Sequence, residues 1–386
     1  MSLTRTHSLF VENGVAQVAK YGEELCGDTV RTVRTSDSLI CVLSDGLGSG
    51  VKANILSTLT ANIAAEMLRS GASLEDMMET IGKTLPVCQV RQIGYATLSA
   101  LEIDHDGQAF VAEFDTPAMM MFQGSKAFAI ERTKRQVGPR EQTIREGHFW
   151  VQEGDFLISV SDGVIHAGIG GKLRLGLGAS GLQAYIERVI DPKMSAQDLA
   201  DTILGHCRHL YDNRPGDDTT VWVAKVRKPR RLLVAVGPPR YRELDQAFAR
   251  SINRFSGVTA VCGGTTAKLV ASQLNREVSV TLDEMRPGQP PKGTIQGIDF
   301  VGEGIVTLCE VLERLKGGPG DPGSPAGELT GMLRYADYIC FHVGRAINPA
   351  HQNPELPFDM TLKQQVVGKI RRVLEAKGKT VETVYF

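Results

Sequence analysis

The sequence predicts two units of different fold class along a chain of 386 residues. The first half groups strand-like segments apart from its helices, which is typical of an α+β domain whose sheets pack on each other with helices outside. The second half alternates strands and helices, which predicts an α/β domain with a mainly parallel sheet. A basic, proline-containing stretch at residues 227–231 separates the two patterns. We therefore expect one domain over residues 1–226 and another over residues 232–386.

Hydrophobic periodicity places the elements of the first domain. Strands are expected at residues 15–20 and 38–43, in four short segments between 95 and 130, and at 148–151, 155–160 and 219–226. Helices are expected at residues 51–70, 74–84, 180–189 and 195–211. Ser195 is placed at the N-cap of the last helix, because its hydroxyl can accept a free backbone N–H there.

The second domain follows a more regular alternation. Strands are expected at residues 232–236, 258–262, 277–281, 297–301, 338–343 and 381–386. Helices are expected at residues 242–253, 266–274, 303–315 and 362–376. A proline-rich loop is placed at residues 286–292 and a flexible glycine- and proline-rich loop at 317–327.

The composition limits the classes of partner. The hydrophobic fraction of 42% and charged fraction of 23% are those of a globular protein, and a net charge of −1 indicates no nucleic-acid or membrane partner. Seven cysteines lie far apart without a Cys-x-x-Cys, which argues against a disulfide framework and a structural zinc. No apolar run reaches the roughly 18 residues that a membrane helix needs. We expect a cytoplasmic protein.

Four acidic sites stand out, two of which directly follow buried strand-like segments. They are Asp28 after Gly27, Asp45 and Asp162 within two Ser-Asp-Gly motifs, and Asp217 with Asp218 after Gly216. Carboxylate oxygens are the natural ligands of Mg²⁺ and Mn²⁺, and glycine lets a backbone carbonyl approach an ion. A single Asp-Gly is more typical of an ordinary turn, whereas the ordered set of four is much more specific.

This set resembles the metal-dependent (type 2C) protein phosphatases, in particular the bacterial branch typified by the stage II sporulation protein E phosphatases. The resemblance covers roughly residues 5–226. It implies a β-sandwich flanked by helices, with a metal site at one edge. It also implies hydrolysis of phosphoserine and phosphothreonine in a phosphorylated protein substrate, with two Mn²⁺ or Mg²⁺ ions and allowance for a third.

The resemblance also implies a role for each matching residue. Asp45 corresponds to the carboxylate that bridges both ions, and the Gly46 carbonyl to a ligand of the second ion. Asp162 and Asp217 correspond to ligands of the first ion. Asp28 corresponds to a catalytic aspartate that acts through bound water or an additional ion.

Several nearby residues have less definite readings. Asp218 matches a position that is often asparagine, so we expect it to support the metal ligands rather than to bind an ion itself. The alternative is that its carboxylate caps the backbone of its own turn. His166 could act as a general acid, but a supporting or packing role is favoured, because the family mechanism relies on water and carboxylates. The arginine that the eukaryotic branch carries before its first acidic motif is missing, and Lys20 is a weak substitute for it. His206 and His209 are interpreted as helix-surface residues.

A separate motif lies in the second domain, where a buried strand-like segment ends. The residues are Gly263, Gly264, Thr265 and Thr266, and they open a helix. Glycines, hydroxyls and free N–H groups at a helix N-terminus favour an anion, so we expect a phosphate-bearing ligand there. An ordinary strand-to-helix turn is the alternative.

The leading hypothesis is therefore a metal-dependent serine/threonine phosphatase with an appended regulatory or ligand-binding domain. One alternative is a catalytically weak scaffold that binds phosphoproteins and senses a ligand through its C-terminal domain. Another is a bifunctional enzyme. The helices over residues 51–84 are predicted to be a regulatory element, with Ile55, Leu59 and Ile63 on the packing face of the first helix.

Overall fold

The computed structural model describes residues 9–35, 37–84, 96–137, 142–281, 292–346 and 362–386. The chain divides into two compact units, Met1–Lys228 and Pro229–Phe386. Residues 286–291 of the expected proline-rich loop lie outside the described residues. Every helix within the described ranges is too short or too polar to cross a bilayer.

The first unit contains the following strands and helices among its described residues. The strands are β1 Phe10–Val18, β2 Asp28–Arg34, β3 Ser38–Asp45, β4 Leu98–Asp104, β5 Gln108–Phe114, β6 Met120–Gln123, β7 Lys126–Phe128, β8 Thr133–Val137, β9 Gln142–Trp150, β10 Asp155–Val160 and β11 Thr219–Arg227. The helices are α1 Gly50–Arg69, α2 Leu74–Thr84, α3 Asp162–Ile165, α4 Gly178–Val189 and α5 Ala196–Leu210.

These strands form two antiparallel sheets packed face to face. One sheet has the order β1-β11-β10-β6-β7 and the other the order β2-β3-β4-β5-β9-β8. Leu101 and Val111 of one sheet pack against Leu157 and Trp222 of the other in the core between them. Helices α1 and α2 cover the outer face of the six-stranded sheet, and α4 and α5 cover that of the five-stranded sheet. The predicted α+β fold, a β-sandwich flanked by helices, is confirmed.

The double cover explains why the central strands are largely apolar. In β11, Trp222 and Ala224 face the core between the sheets, whereas Val221 and Val223 lie under the helices. Strands β3 and β10 are likewise buried along nearly their whole length. Since both faces are covered, charged residues are disfavoured until the strand reaches the edge of the sandwich. Asp45 at the end of β3 and Asp162 just after β10 therefore lie at the edge of the sheets.

The packing face predicted for α1 is wrong. Ile55 and Leu59 are 53% and 42% exposed, although Ile63 is partly buried. The helix instead packs through Leu56 and several small residues, of which Ala61 is fully buried. Small side chains let a helix lie close to a sheet, so the larger apolar residues were left on the opposite side.

The second unit is a seven-stranded mixed sheet with helices on both faces. Its strands are β12 Arg231–Val236, β13 Val258–Cys262, β14 Val278–Thr281, β15 Lys292–Ile295, β16 Ile298–Gly302, β17 Tyr338–Val343 and β18 Thr380–Tyr385. Its helices are α6 Asp245–Asn253, α7 Gly264–Gln273, α8 Ile305–Leu315, α9 Pro325–Tyr335 and α10 Leu362–Ala376. The sheet order is β14-β15-β16-β13-β12-β17-β18, in which the five strands from β16 to β18 are parallel. The predicted α/β fold with a mainly parallel sheet is confirmed.

Five elements were not expected from the sequence. Strands β2, β8 and β15 and the short helix α3 were missed, and helix α9 begins inside the segment predicted to be a flexible loop. Ser324 caps α9, because its hydroxyl accepts the N–H of Gly327 at 3.1 Å, and Pro325 occupies the first helical turn. Serine followed by proline is a helix start signal, and the surrounding glycines and prolines obscured it.

Candidate metal centre

The first two acidic sites meet because their strands pair. Strands β2 and β3 are antiparallel, with Asp28 directly opposite Asp45. Asp45 ends β3, and its N–H donates to the Thr97 hydroxyl at 3.1 Å, while its carbonyl accepts the Thr97 N–H at 3.0 Å. The two carboxylates are therefore cross-strand neighbours at one end of the six-stranded sheet.

The other two acidic sites emerge from the neighbouring strands β10 and β11. Asp162 opens the short helix α3 directly after β10, and Asp217 lies two residues before β11. Ser161 joins the two segments, since its N–H donates to the Thr220 carbonyl at 3.0 Å and its hydroxyl accepts the Thr220 N–H at 2.9 Å. Each sheet thus contributes two aspartates.

The glycines of the Ser-Asp-Gly motifs are required by close packing. A Cβ on Gly46 would lie 2.0 Å from the Ala53 carbonyl oxygen, and one on Gly163 would lie 2.1 Å from that of Asp218. Any larger residue would displace the loop that carries Asp45 or Asp162. Within the described residues, the Gly46 carbonyl accepts no hydrogen bond.

The predicted ligands share the wall of one cavity of about 680 Å³. Asp45, Gly46, Asp162 and Asp217 all line it, whereas Asp28 is 1% exposed and does not. In the part of the chain that the structure describes, no three histidine, cysteine or acidic side chains form a closed metal-binding group. The carboxylates therefore line a common surface, but they do not yet surround a single position for an ion.

Crowding of the carboxylates changes their electrostatics. Burial, reinforced by Asp28, Asp162 and Asp217, raises the pKa of Asp45 well above its usual range. Burial also raises the pKa of Asp28 to about 6. The Thr220 and Ser161 hydroxyls oppose this rise, but among the described residues neither oxygen of Asp28 has a partner in hydrogen-bond geometry.

These features fit a site for hard divalent cations. Every predicted donor is an oxygen, either a carboxylate or the Gly46 carbonyl, as Mg²⁺ and Mn²⁺ prefer. Buried carboxylates without partners, such as Asp28, are costly unless a positive charge lies close by. Positive charge would also lower the raised pKa values of the group.

The supporting residues have defined positions. Asp218 is 3% exposed, and its Oδ1 accepts the Lys20 N–H at 3.0 Å, so it ties the segment after β1 to the Asp217 loop. Lys20 Nζ lies 4.0 Å from Asp217 Oδ1. His166 Nδ1 lies 3.9 Å from Asp162 Oδ2, with both side chains about half exposed, and His166 does not line the cavity. The assigned roles of Asp218 and His166 stay predictions.

The two helix histidines lie in α5, away from the cavity lining. The His206 ring stacks on Tyr185 with 3.8 Å between centroids, and His209 Nε2 lies 3.5 Å from Lys172 Nζ. Both therefore have side-chain neighbours in the first unit.

In the second unit, the predicted anion-binding turn forms the start of α7. Gly263 has a φ of 114°, and its N–H donates to the Gly302 carbonyl at 2.8 Å, so that donor is already satisfied. Gly264 and Thr265 are exposed, and Thr266 is buried. Anion binding at this turn stays a prediction.

Four charged residues of the cavity wall had no motif in the sequence. Glu113, Lys134 and Arg145 come from β5, β8 and β9, and Asp115 directly follows β5. The first three are neighbours only because these strands are adjacent, and β8 was not predicted. A polar residue interrupting an otherwise buried strand, as Glu113 does, is the one available signal.

Comparison with known proteins identifies the first unit. The family model "Stage II sporulation protein E (SpoIIE)" matches residues 35–227. The chain is 24% identical over 246 residues to stage II sporulation protein E of Priestia megaterium, covering 62% of this chain and 40% of that protein. It is 26% identical over 163 residues to the protein of the same name from Bacillus subtilis (strain 168), covering 41% and 20%.

A solved structure of the PP2C phosphatase domain and a fragment of the regulatory domain of SpoIIE from Bacillus subtilis is also similar. It shares 22% identity and a TM-score of 0.48, covering 57% of this chain and 64% of that one. The chain spans less than half the length of the two full-length relatives. With half of its residues matched by the family model, the chain belongs to the stage II sporulation protein E family.

Proposed function

We propose that the first unit is a metal-dependent serine/threonine phosphatase that acts on a phosphorylated protein in bacterial signalling. The observation that carries this proposal is the shared cavity wall formed by Asp45, Gly46, Asp162 and Asp217, with Asp28 buried directly opposite Asp45 in the sheet. Membership of the stage II sporulation protein E family supports it. A cytoplasmic location, without nucleic-acid or membrane partners, is part of the same proposal.

In this proposal the acidic residues hold two Mn²⁺ or Mg²⁺ ions. Asp45 would contact both ions, the Gly46 carbonyl one of them, and Asp162 and Asp217 the other. When bound, such ions neutralise phosphate charge and lower the pKa of the attacking water. Asp28 would orient water or help to hold a third ion, since its carboxylate is buried beside Asp45 without a hydrogen-bond partner among the described residues.

The chain itself supplies binding and orientation. A cavity of about 680 Å³ is larger than a phosphoryl group needs and leaves room for flanking peptide. Asp218 accepts a hydrogen bond from the Lys20 backbone N–H, and this contact supports the loop that carries the proposed ligand Asp217. For the second unit, residues 232–386, we propose a regulatory or ligand-binding role.

The test is hydrolysis of an aryl phosphate and of a phosphoserine peptide by the full chain. We expect no turnover in EDTA and restored turnover with millimolar Mn²⁺ or Mg²⁺. A protein that binds the phosphopeptide but turns over neither substrate with either metal would instead be the scaffold, and the phosphatase proposal would fail.

A further inference from the structure

A row of three charged residues crosses the sheet at the cavity. In the strand register, Glu113 of β5 is paired with Arg145 of β9, and Arg145 with Lys134 of β8. Directly paired residues project from the same face of a sheet. All three line the cavity that also contains Asp45, so two cations share this space with the predicted metal ligands.

Arg145 is held in place before any substrate arrives. One terminal nitrogen (Nη2) donates to the Thr116 carbonyl at 2.6 Å and lies 3.4 Å from Glu113 Oε2. An arginine has five N–H donors in a planar fork, so most remain available to an anion. Its side chain is 33% exposed, and the guanidinium is therefore both fixed and accessible.

A second arginine neutralises Glu113, so Arg145 is not needed for that purpose. The Glu113 side chain is fully buried, and Arg132 approaches both of its oxygens at 2.8 and 3.0 Å. The Met119 N–H adds a third contact at 2.6 Å. Because Arg132 supplies the countercharge, the positive charge of Arg145 adds to the cavity.

Lys134 supplies the second positive charge. It is exposed on the edge strand β8, and its side chain makes no hydrogen bond or ion pair with any described residue. Lys20, the nearest cation before the first acidic motif, does not line the cavity. A phosphate dianion entering a cavity lined by aspartates needs positive charge, and the protein offers it from this sheet.

We propose that Arg145 and Lys134 bind the phosphoryl group of the substrate, Arg145 through its planar fork and Lys134 as a point charge. The assignment rests on the proposed phosphatase function. Arginine suits this role because its fork matches two phosphate oxygens at once. The expected contribution is to substrate binding, so KM should respond more strongly than kcat.

The experiment compares Arg145→Ala, Arg145→Lys and Lys134→Met with wild type on an aryl phosphate, which has no flanking peptide. Lys126→Met is the matched control, an exposed lysine of β7 that is not on the cavity wall. Loss of a charged hydrogen-bond pair predicts a rise in KM of about 10- to 100-fold for Arg145→Ala. We expect a smaller rise for Arg145→Lys and Lys134→Met, a kcat within about threefold of wild type, and no change in the control.

Calorimetric titration with inorganic phosphate in Mn²⁺ gives a readout independent of turnover. If wild type binds phosphate but hydrolyses nothing, the phosphatase proposal fails while weaker binding by the variants still supports the assignment of Arg145 and Lys134. Unchanged KM and phosphate affinity in Lys134→Met and the folded Arg145 variants overturns the assignment. An effect seen only with phosphopeptides that carry acidic residues beside the phosphoserine also overturns it, because Arg145 and Lys134 would then bind the peptide and not the phosphoryl group. Lys134→Met decides the matter if Arg145→Ala does not fold, since the Lys134 side chain bonds to no described residue.

Discussion

Replacing Asp45 with asparagine should have opposite effects on stability and on activity. Asparagine keeps the shape of the side chain but removes the charge that lies opposite Asp28 and close to Asp162 and Asp217. Activity should be lost, because the carboxylate proposed to contact both ions is gone. The metal-free protein should nevertheless become more stable, because a like-charge contact is removed.

The size of the effect follows from the strand register. The Cβ atoms of directly opposed residues lie about 5 Å apart, and two full charges at that separation repel by about 3 kcal/mol at an effective dielectric of about 20. Partial protonation, which the raised pKa values of Asp28 and Asp45 imply, reduces this to about 2 kcal/mol. For a unit of this size, about 2 kcal/mol raises the Tm by about 4–8 °C.

The assay is thermal unfolding in EDTA and in millimolar Mn²⁺, alongside turnover of an aryl phosphate. Ions at about 100 times their Kd should stabilise wild type by about 2.7 kcal/mol, and Asp45→Asn should lose most of that gain. Asp106→Asn, in an exposed turn after β4, should keep both turnover and the metal response. An Asp45→Asn protein that is less stable than wild type in EDTA, or that keeps the full metal response, would refute the reasoning.

Three further predictions concern the same unit. In EDTA, stability should fall as pH rises from about 4 to 6, because the raised pKa of Asp28 (about 6) makes the folded state bind more protons than the unfolded state in this range, and the raised pKa of Asp45 should extend the fall to higher pH; a flat profile of Tm against pH would contradict this. Arg132→Ala should cost about 3 kcal/mol in urea unfolding, because it leaves the buried Glu113 carboxylate with the Met119 N–H and only the longer ionic contact to Arg145, and a loss below about 1 kcal/mol would be inconsistent with a buried ion pair. Gly46→Ala should cost about 1–3 kcal/mol and weaken Mn²⁺ binding, because its Cβ would meet a backbone oxygen at 2.0 Å. Gly82→Ala in α2 meets no atom within 4 Å and serves as its control, so equal effects of the two changes would argue against the steric explanation.

Local sequence patterns predicted most of the fold. Helix α2 and strands β10, β13 and β17 begin and end at the predicted residues, because each is a periodic or apolar segment bounded by turn residues. The missed strands β2 and β8 are only partly buried or largely exposed, so their apolar signal is weak. Helix α9 was obscured by the glycines and prolines around its cap.

The candidate site, too, was predicted only in part from the sequence. The aspartates could be named from sequence, because a strand covered on both faces is largely apolar, so a carboxylate at or just after its end stands out. The glycines could be noticed, but the close approach of Gly46 to Ala53 exists only in the folded chain. The exposed side of α1 was assigned wrongly, because a periodic pattern gives the spacing of a face and not its partner.

By itself, the sequence determined the two fold classes, the set of acidic residues and the family resemblance, because each depends on residues that are close together in the chain or on their order. Only the tertiary structure decided that Asp28 lies opposite Asp45, and that Arg145 and Lys134 share the cavity with Asp45. Strand register is set by packing between segments far apart in the chain, and a shift by one residue would turn each of these side chains to the other face. That long-range choice is what brings positive charge to the wall of an acidic cavity.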